Sequence, residues 1–369
     1  MIGGILKSRK PTANYLNLTA QAWAGMRRSW ALPATVSLLA QAYLAGPVRS
    51  VSAALQSLVV GGSRQPVSEG EAVFILGFWR SGTTFLHELI CSDERFAFPS
   101  TYACLHPHHF VFSEKLVLAR RRGEVRRPQD HMTLGWRTPQ EDEFALLCLG
   151  ARSPYEGLIA AGDFERALQL TDPGDLPKEE GGRWEKIFLQ FFRAVRFLNG
   201  QKPLVLKSPS HSYRVQTLRR LVPNSRFVLI VRNPYEVFES MMKTYRAYAL
   251  RYGLVPGLSN RALREIILAE RLRCEQKLQT GLSGLGSERL AIVKYEDLAA
   301  DPVGTVENIY RQFKLPGFEA VRPILMRKAA PRCGPARSAA QPPPQWRARL
   351  KTAWADIFDR YGYDPEGSP

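Results

Sequence analysis

Short apolar runs alternate with stretches of helical spacing over most of the chain. Ala72–Leu76 precedes a glycine-containing turn and a helical pattern over residues 83–91. Three later apolar runs also precede predicted helices, namely 204–206 before 211–221, 227–231 before a helix from Pro234, and 290–293 before 302–313. Continuous apolar strands separated by helices are typical of a parallel sheet covered on both faces. We therefore predict an α/β fold of three layers, with helices on both faces of a central parallel sheet.

The alternation lapses between residues 92 and 203, where helices are predicted over 140–149 and 183–197. Such an insertion usually shapes the ligand end of a sheet. We predict a main domain over residues 71–369, preceded by a helical N-terminal extension over 1–70. A run without acidic residues predicts a basic C-terminal flap at about 321–355.

Composition and charge narrow the class of protein. Apolar residues make up 45% of the 369, which argues against disorder over the whole length. Lys and Arg number 51 against 34 Asp and Glu, giving a formal net charge of +17. This excess attracts nucleotides, phosphate or sulfate esters, nucleic acid or an acidic membrane surface. The five cysteines form no C-x-x-C pair, so the sequence predicts a reducing, cytoplasmic location without disulfides or a thiolate metal site.

The first 68 residues carry seven basic and no acidic residues among many apolar ones. This pattern predicts either helices that lie on an anionic membrane or a helical extension packed on the main domain. No apolar run is long enough to predict a spanning helix.

The turn after the first predicted strand has the sequence Gly77-Phe-Trp-Arg-Ser-Gly-Thr-Thr84. Its glycines have the Walker A spacing, and a turn between strand and helix can surround an anion with backbone N–H groups. Thr83 stands where a Walker A lysine would follow the second glycine, which argues against ATP or GTP hydrolysis. Arg80 brings a positive charge into the loop, which suits a phosphosulfate.

This loop resembles the 5′-phosphosulfate loop of sulfotransferases that use 3′-phosphoadenosine 5′-phosphosulfate (PAPS). The resemblance implies that the donor contacts five loop residues: Arg80, Ser81, Gly82, Thr83 and Thr84. The segment from Arg226 to Ser240 is similar to the family's 3′-phosphate site, implying that role for Arg232 and Ser240. Lys294-Tyr-Glu-Asp-Leu298 resembles a third family segment, in which Tyr295 would contact adenine. The matches cover about residues 72–318 and imply a P-loop-like sulfotransferase fold with PAPS as donor.

Sulfuryl transfer requires cationic groups at the moving SO₃ and a base that removes the acceptor proton. Arg80 and Lys207 are predicted to supply the charge, and Lys207 resembles the catalytic-site lysine of cytosolic sulfotransferases. The histidine that those relatives place two residues later is here Pro209. Tyrosylprotein-type relatives instead use a glutamate about twenty residues beyond the loop, where this chain has Pro99-Ser100-Thr101.

Several other residues are candidates for the base. Glu141 is favoured, because neighbouring carboxylates raise one another's pKa. Residues 141–143 can also be read as acids that stabilise a helix N-terminus. His108, with its neighbours His106 and His109, and His211 are further candidates. No Cys or carboxylate joins the three clustered histidines at ligand spacing, so no metal is predicted.

We predict a PAPS-dependent sulfotransferase whose acceptor is a hydroxyl or amine of a small molecule, lipid or glycan. The aromatic residues of the insertion can form an ordinary core or line an apolar pocket. If they line a pocket and the N-terminal helices lie on a membrane, a hydrophobic alcohol is the expected acceptor, with a glycan as the next choice. Three alternatives stay open: a phosphate-transferring or NTP-binding P-loop protein, a basic nucleic-acid-binding protein, and an inactive relative that binds the desulfated donor. No nucleic-acid motif appears in the sequence, so nucleic acid is not the expected partner. The sequence does not indicate an oligomeric state.

Overall fold

The computed structural model describes residues 18–20, 22–23, 44–61, 72–120, 124–126, 133–159, 164–252, 259–330 and 341–366. The elements in chain order are α1 (Gly46–Gly61), β1 (Ala72–Leu76), α2 (Thr83–Ile90), α3 (Thr101–Leu105), α4 (Phe110–Arg120), β2 (Glu124–Arg126), β3 (Thr133–Gly135), α5 (Glu143–Leu149), α6 (Glu156–Ile159), α7 (Phe164–Leu168), α8 (Lys178–Leu198), β4 (Leu204–Lys207), α9 (Val215–Leu221), β5 (Arg226–Val231), α10 (Pro234–Tyr252), α11 (Asn260–Leu282), β6 (Leu290–Lys294), α12 (Tyr295–Ala300), α13 (Pro302–Gln312), α14 (Phe318–Ala329), α15 (Pro344–Ala353) and α16 (Ala355–Tyr361). A 3₁₀ helix, Pro209–Tyr213, links β4 to α9.

The chain divides into two compact units. Residues 67–96, 203–244 and 259–369 form the sheet unit, and residues 1–66, 97–202 and 245–258 form the insertion unit. Each unit is therefore built from separated stretches of sequence. The predicted boundary at residue 70 between an extension and a main domain stays a prediction.

The sheet unit contains a four-stranded parallel sheet with the strand order β4-β1-β5-β6. The apolar run of β1 is buried along its whole length, as expected for a central strand covered on both faces. Ile75 pairs with Lys207 of β4, and Val231 of β5 pairs with Lys294 of β6. The predicted α/β fold with a central parallel sheet flanked by helices is confirmed, and the register brings the carboxyl ends of all four strands to one edge.

The insertion unit is organised around α8, which packs against α1, α4 and α5. Its apolar face is aromatic: the rings of Trp184 and Phe188 are stacked 5.2 Å apart, and Phe191 packs against Phe110 of α4 at 5.6 Å. The helices predicted over 140–149 and 183–197 correspond to α5 and α8. The antiparallel hairpin of β2 and β3 was not predicted from the sequence.

The described parts of the N-terminal 68 residues pack within the insertion unit. Leu18, Ala22 and Trp23 form an apolar cluster with Leu147 and Cys148 of α5. Six of the seven basic residues on which the membrane prediction rests lie outside the described residues. Among the helices that are described, none combines the length and the apolar character that crossing a bilayer requires.

The described part of the predicted C-terminal flap is helical. In α15, Trp346 and Leu350 are buried, and the fully buried Trp354 donates its indole N–H to the Leu268 carbonyl at 3.2 Å. These contacts anchor α15 and α16 to α11 within the sheet unit. Residues 331–340, which carry two of the arginines of the predicted flap, lie outside the described part of the chain.

Candidate functional site

The loop between β1 and α2 is held close to the sheet by its glycines. A Cβ at Gly77 would lie 2.8 Å from the Ile230 carbonyl oxygen of β5. Gly82 has a φ of 95°, and a Cβ there would lie 2.3 Å from the Tyr295 ring. Both positions require glycine because neighbouring atoms approach the backbone too closely for a Cβ. Gly82 requires it also because its backbone is in the left-handed region. The loop can therefore lie directly against the carboxyl ends of β1, β5 and β6.

The N-terminus of α2 has the features of an anion cradle. Gly82 is its N-cap residue and provides no side-chain hydrogen bond to the first-turn N–H groups. Ser81 and Thr83 are buried beside this end of the helix, and Thr84 follows them. Uncapped N–H groups and the helix dipole favour a bound anion. All four of the loop residues predicted after Arg80 thus lie at one helix N-terminus.

Arg80 joins the loop to the segment predicted to bind a 3′-phosphate. Its backbone φ of 72° lies in the left-handed region, which costs a residue with a side chain about 1–2 kcal/mol. Its Nε donates to Ser240 Oγ of α10 at 3.0 Å, and Arg232 Nη1 donates to the Arg80 carbonyl oxygen at 3.4 Å. Arg80, Arg232 and Ser240 form one cluster, although 152 and 160 residues separate the loop arginine from the other two along the chain.

Arg232 is fixed by an acid that the sequence analysis missed. Its Nε and Nη2 donate to Glu236 Oε2 at 2.9 and 2.7 Å, and its guanidinium carbon lies 4.3 Å from the centroid of the Tyr295 ring. The spacing of four residues at a helix start is the signal by which Glu236 could have been found. The stacked ring and the carboxylate hold the guanidinium plane in one orientation.

Tyr295 begins α12, directly after β6, and the side chain of its neighbour Glu296 connects two other segments of the sheet unit. Glu296 accepts the Asn233 backbone N–H at 3.0 Å and the Tyr363 hydroxyl at 2.8 Å. Burial raises the pKa of Tyr363, and the negative charge of Glu296 raises it further. Glu296 thus ties the start of α10 to the C-terminal segment, while Tyr295 is the member of this pair that faces the loop and Arg232.

Lys207 ends β4 beside the loop. Its side chain is 2% exposed, and Nζ donates to Thr84 Oγ1 at 3.4 Å. The nearby His211 is fully buried and packs edge-on against Phe74 of β1, with ring centroids 5.4 Å apart. The Ser212 hydroxyl accepts the backbone N–H of Gly77 at 2.9 Å, a contact that no sequence pattern predicts. Lys207 therefore lies at the loop, whereas His211 lies among core side chains.

The carboxylates predicted as base candidates belong to the insertion unit and differ in position there. Glu143 is the first residue of α5 and Asp142 its N-cap, and both are fully buried. Glu141 precedes the helix, is half-buried, and accepts a short hydrogen bond from the Tyr155 hydroxyl. The alternative prediction, that these acids stabilise a helix N-terminus, therefore fits Glu143 and Asp142 better than it fits Glu141.

The three clustered histidines also lie in the insertion unit. Their ligand atoms all lie within 4.8 Å of one another, in His106, His108 and His109. Burial lowers the pKa of His108 to about 3, with further contributions from the neighbouring His109 and the positive charge of Arg49. His109 Nδ1 is hydrogen-bonded to Ser113 Oγ at 2.6 Å. His108 is therefore uncharged near neutral pH. Because its protonated form loses the proton so readily, His108 is a weak base.

Comparison with known proteins identifies the family. A family model described as the sulfotransferase family matches residues 72–320. The chain belongs to the sulfotransferase family. This match confirms the predicted family and the predicted sulfotransferase function. The matched range contains the loop, Lys207, Arg232, Ser240 and Tyr295, whose individual roles stay predictions.

Curated relatives and solved structures agree with this family assignment. The omega-hydroxy-beta-dihydromenaquinone-9 sulfotransferase Stf3 of Mycobacterium bovis is 31% identical over 298 residues, covering 79% of this sulfotransferase and 75% of the relative. The protein of the same name from Mycobacterium tuberculosis gives the same values. Crystal structures of STF9 from Mycobacterium avium and STF1 from Mycobacterium tuberculosis superpose with TM-scores of 0.58 and 0.56. At 17% identity, they cover 95% and 88% of this chain and 97% and 94% of their own, and they show the fold alone.

Proposed function

We propose that this sulfotransferase moves a sulfuryl group from PAPS to the hydroxyl of a hydrophobic, lipid-like alcohol. The family implies a sulfonate donor, and the observation that supports PAPS is the convergence of three distant segments. Two guanidinium groups, from Arg80 and Arg232, meet the Ser240 hydroxyl and the Tyr295 ring beside an uncapped helix N-terminus. One anion site beside a second one, with the Tyr295 ring next to both Gly82 and Arg232, suits a nucleotide that carries phosphate at both its 5′ and 3′ positions.

The reaction that we propose is a single displacement at sulfur. The acceptor oxygen forms a bond to sulfur while the bond from sulfur to the 5′-phosphate oxygen breaks, giving a sulfate ester and adenosine 3′,5′-bisphosphate. Lys207 and Arg80 would balance the negative charge on the transferring group and on the leaving phosphate. The loop threonines, Thr83 and Thr84, and the N–H groups at the start of α2 would hold the 5′ end of the donor. The acceptor proton would pass to Glu141.

The acceptor class is supported by the relatives rather than by the donor site. Stf3 carries the name of a sulfotransferase for omega-hydroxy-beta-dihydromenaquinone-9, which is a hydroxyl-bearing, lipid-like quinone derivative. The insertion unit of the present chain is rich in aromatic side chains, including Tyr102 and Trp136, whose ring centroids lie 5.9 Å apart. We extend the lipid-like class to this chain, and the anionic membrane predicted for residues 1–68 would be the source of such an acceptor.

The donor proposal predicts that Arg232 and Ser240 recognise the 3′-phosphate. By calorimetry, the protein should bind adenosine 3′,5′-bisphosphate more tightly than adenosine 5′-phosphate. Arg232→Ala and Ser240→Ala should each weaken binding of adenosine 3′,5′-bisphosphate, because a charge-assisted hydrogen bond to its 3′-phosphate is lost. For Arg232→Ala we expect a loss of affinity of about 10- to 100-fold. Binding of adenosine 5′-phosphate should change little.

Arg226 offers a matched control, because it lies at the amino end of the same strand β5 and stacks on Phe313 at 6.0 Å. Arg226→Ala should leave both affinities unchanged. An Arg232→Ala variant that keeps the full preference for the bisphosphate would refute the assignment of that residue. If the folded wild-type protein takes up neither nucleotide, PAPS is not its donor.

The proposed base predicts a selective loss of turnover in Glu141→Gln. The amide keeps the size of the side chain and can still accept from Tyr155, but it cannot take up the acceptor proton. We expect kcat to fall by about 100- to 10,000-fold, the range for loss of a general base, with donor affinity unchanged. His108→Gln should retain kcat within about threefold, since a group with its low pKa contributes little as a base. The reverse pattern in the two variants would transfer the role to His108.

A further inference from the structure

Helix α1 presents a row of large apolar side chains to solvent, while its Gln56 and Val60 side chains are buried against the protein. Leu58 is 73% exposed and Leu44, just before the helix, is 74% exposed. Between and beside them, at steps of three and four residues, the exposed set continues with Val48, Val51, Leu55 and Val59. Steps of three and four residues place all of these on one face of a helix. An apolar stripe of this size on the outside of a protein marks a contact surface.

The orientation of α1 is fixed by hydrogen bonds from its polar face. Gln56 is buried, its Nε2 donates to the Pro107 carbonyl oxygen at 2.8 Å, and its Oε1 accepts the Val111 backbone N–H at 3.0 Å. Ser50 Oγ accepts the Ala20 N–H at 3.1 Å. These bonds satisfy polar groups that would otherwise be buried without partners, so the helix cannot rotate to bury its apolar face without breaking them.

Helix α4, which is hydrogen-bonded to α1 through Val111 and Gln56, has exposed apolar side chains of its own and exposed charge of one sign. Phe112 and Leu116 are exposed on one face of α4, and at helical spacing Lys115 and Arg120 lie on either side of them. The only acidic residue of α4, Glu114, is buried and accepts the Ser100 hydroxyl at 2.5 Å. Within these two described helices, every exposed charge is therefore positive. We call the exposed apolar side chains of residues 44–59 together with Phe112 and Leu116 the apolar face.

We propose that the apolar face docks on the surface of an acidic phospholipid bilayer, with Lys115 and Arg120 at the lipid headgroups. Exposed apolar side chains flanked by cations are the combination that holds a helix in the interface of an anionic membrane. A second copy of the chain is a poorer occupant, since a two-fold interface would bring the same cations together. The inference extends the proposed lipid-like acceptor, but docking itself requires neither donor nor acceptor.

The test is flotation of the full chain with vesicles of phosphatidylcholine alone or mixed with phosphatidylglycerol. Wild-type protein should float with the mixed vesicles, and higher salt should weaken the binding by screening. The triple variant Val51→Gln, Leu55→Gln, Leu58→Gln should bind at least about tenfold more weakly, because the inserted apolar area is lost. Met326→Gln on α14 makes the same kind of change at an exposed side chain outside the apolar face, and it should bind as the wild type does.

Three results of the flotation and light-scattering measurements would overturn the proposal. The first is a wild-type protein that does not float with the mixed vesicles, and the second is a triple variant that floats as well as the wild type. The third is light scattering that shows a wild-type dimer and a monomeric triple variant, neither of them floating, which would assign the surface to a second copy. A polarity-sensitive fluorescent dye can be attached at position 58 of a Leu58→Cys, Cys333→Ser variant, in which the second substitution prevents labelling at position 333. The emission of the dye should shift to the blue only when vesicles are added. A blue shift in buffer alone would also overturn the proposal, because it would mean that another part of this chain or a second copy already covers the face.

Activity measurements separate this inference from the proposed function. The triple variant should sulfate a short, water-soluble alcohol as well as the wild type does, and should lose turnover of an alcohol embedded in mixed vesicles. Should no lipid-like alcohol be sulfated while flotation behaves as expected, the acceptor proposal fails and the docking surface stands. Should flotation fail while a detergent-dispersed lipid alcohol is sulfated, the docking proposal fails alone.

Discussion

Lys207→Ala is expected to lower kcat for sulfuryl transfer by about 100- to 1,000-fold, the usual effect of removing one preorganised group that stabilises developing charge. Lys207 is the last residue of β4, pairs in register with Ile75 of the central strand, and extends its ammonium group to Thr84 in the loop. Burial makes its charge act at a low local dielectric, where its effect on a nearby anion is larger than at the surface. Donor affinity should fall less than kcat, because the loop and Arg232 would still hold both ends of the nucleotide.

The loss of a buried side chain also leaves a cavity, so the packing effect has to be measured separately. Lys207→Met keeps most of the aliphatic stem and removes only the charge, and it should be as inactive as Lys207→Ala while unfolding at a temperature near that of the wild type. If Lys207→Met instead regains kcat to within about threefold of the wild type, the residue acts through packing and its proposed role in charge neutralisation is wrong.

The sheet and the loop could be predicted from the sequence because their signals are local. A run of five apolar residues such as β1 fits a strand buried on both faces, and glycines at fixed spacing mark the turn that follows. Arg232 and Ser240 could be found through the resemblance of their segment to a family site. The local structure agrees with that resemblance, since a strand end and the next helix start bring residues eight apart in sequence to one edge of the sheet.

The contacts that hold the site together could not be predicted, because each joins residues that are distant along the chain. The hydrogen bond from Arg80 to Ser240 spans 160 residues, and the one from Gly77 to Ser212 spans 135. No periodicity reports which side chain a loop residue will meet across the sheet edge. The loop is predicted to direct Arg80 at the 5′ end of the donor, and no local pattern indicates that its Nε also donates to Ser240 Oγ, the residue predicted for the 3′ end.

The exposed apolar stripe of α1 illustrates a second limit of sequence patterns. A helix with one apolar and one polar face gives the same periodicity whether the apolar face packs inward or lies outside. The lack of acidic residues over the first 68 positions raised the membrane interpretation, but a packed extension explained it equally well. The orientation was decided by Gln56, whose bonds to Pro107 and Val111 turn the polar face toward the protein.

Gly82→Ala is expected to abolish donor binding, with a loss of more than about 100-fold in affinity, because the loop can no longer lie against Tyr295. The added Cβ would lie 2.3 and 2.9 Å from two atoms of the Tyr295 ring, far inside contact distance. Relief requires either the ring or the loop to move, and the ring also stacks on Arg232. Displacement of the loop by about 1 Å would misplace the N–H groups at the start of α2 and the Arg80 side chain together.

A positive φ alone also penalises alanine, and Gly284 separates the two effects. Gly284 lies in the same unit with a φ of 73°, and a Cβ there would meet nothing within 4 Å. Gly284→Ala should therefore cost about 1 kcal/mol of stability through backbone strain and leave affinity for adenosine 3′,5′-bisphosphate unchanged. Calorimetry on both variants distinguishes strain from collision: equal losses of affinity would point to a general loss of folded protein, and full affinity in Gly82→Ala would mean that the loop does not carry the donor.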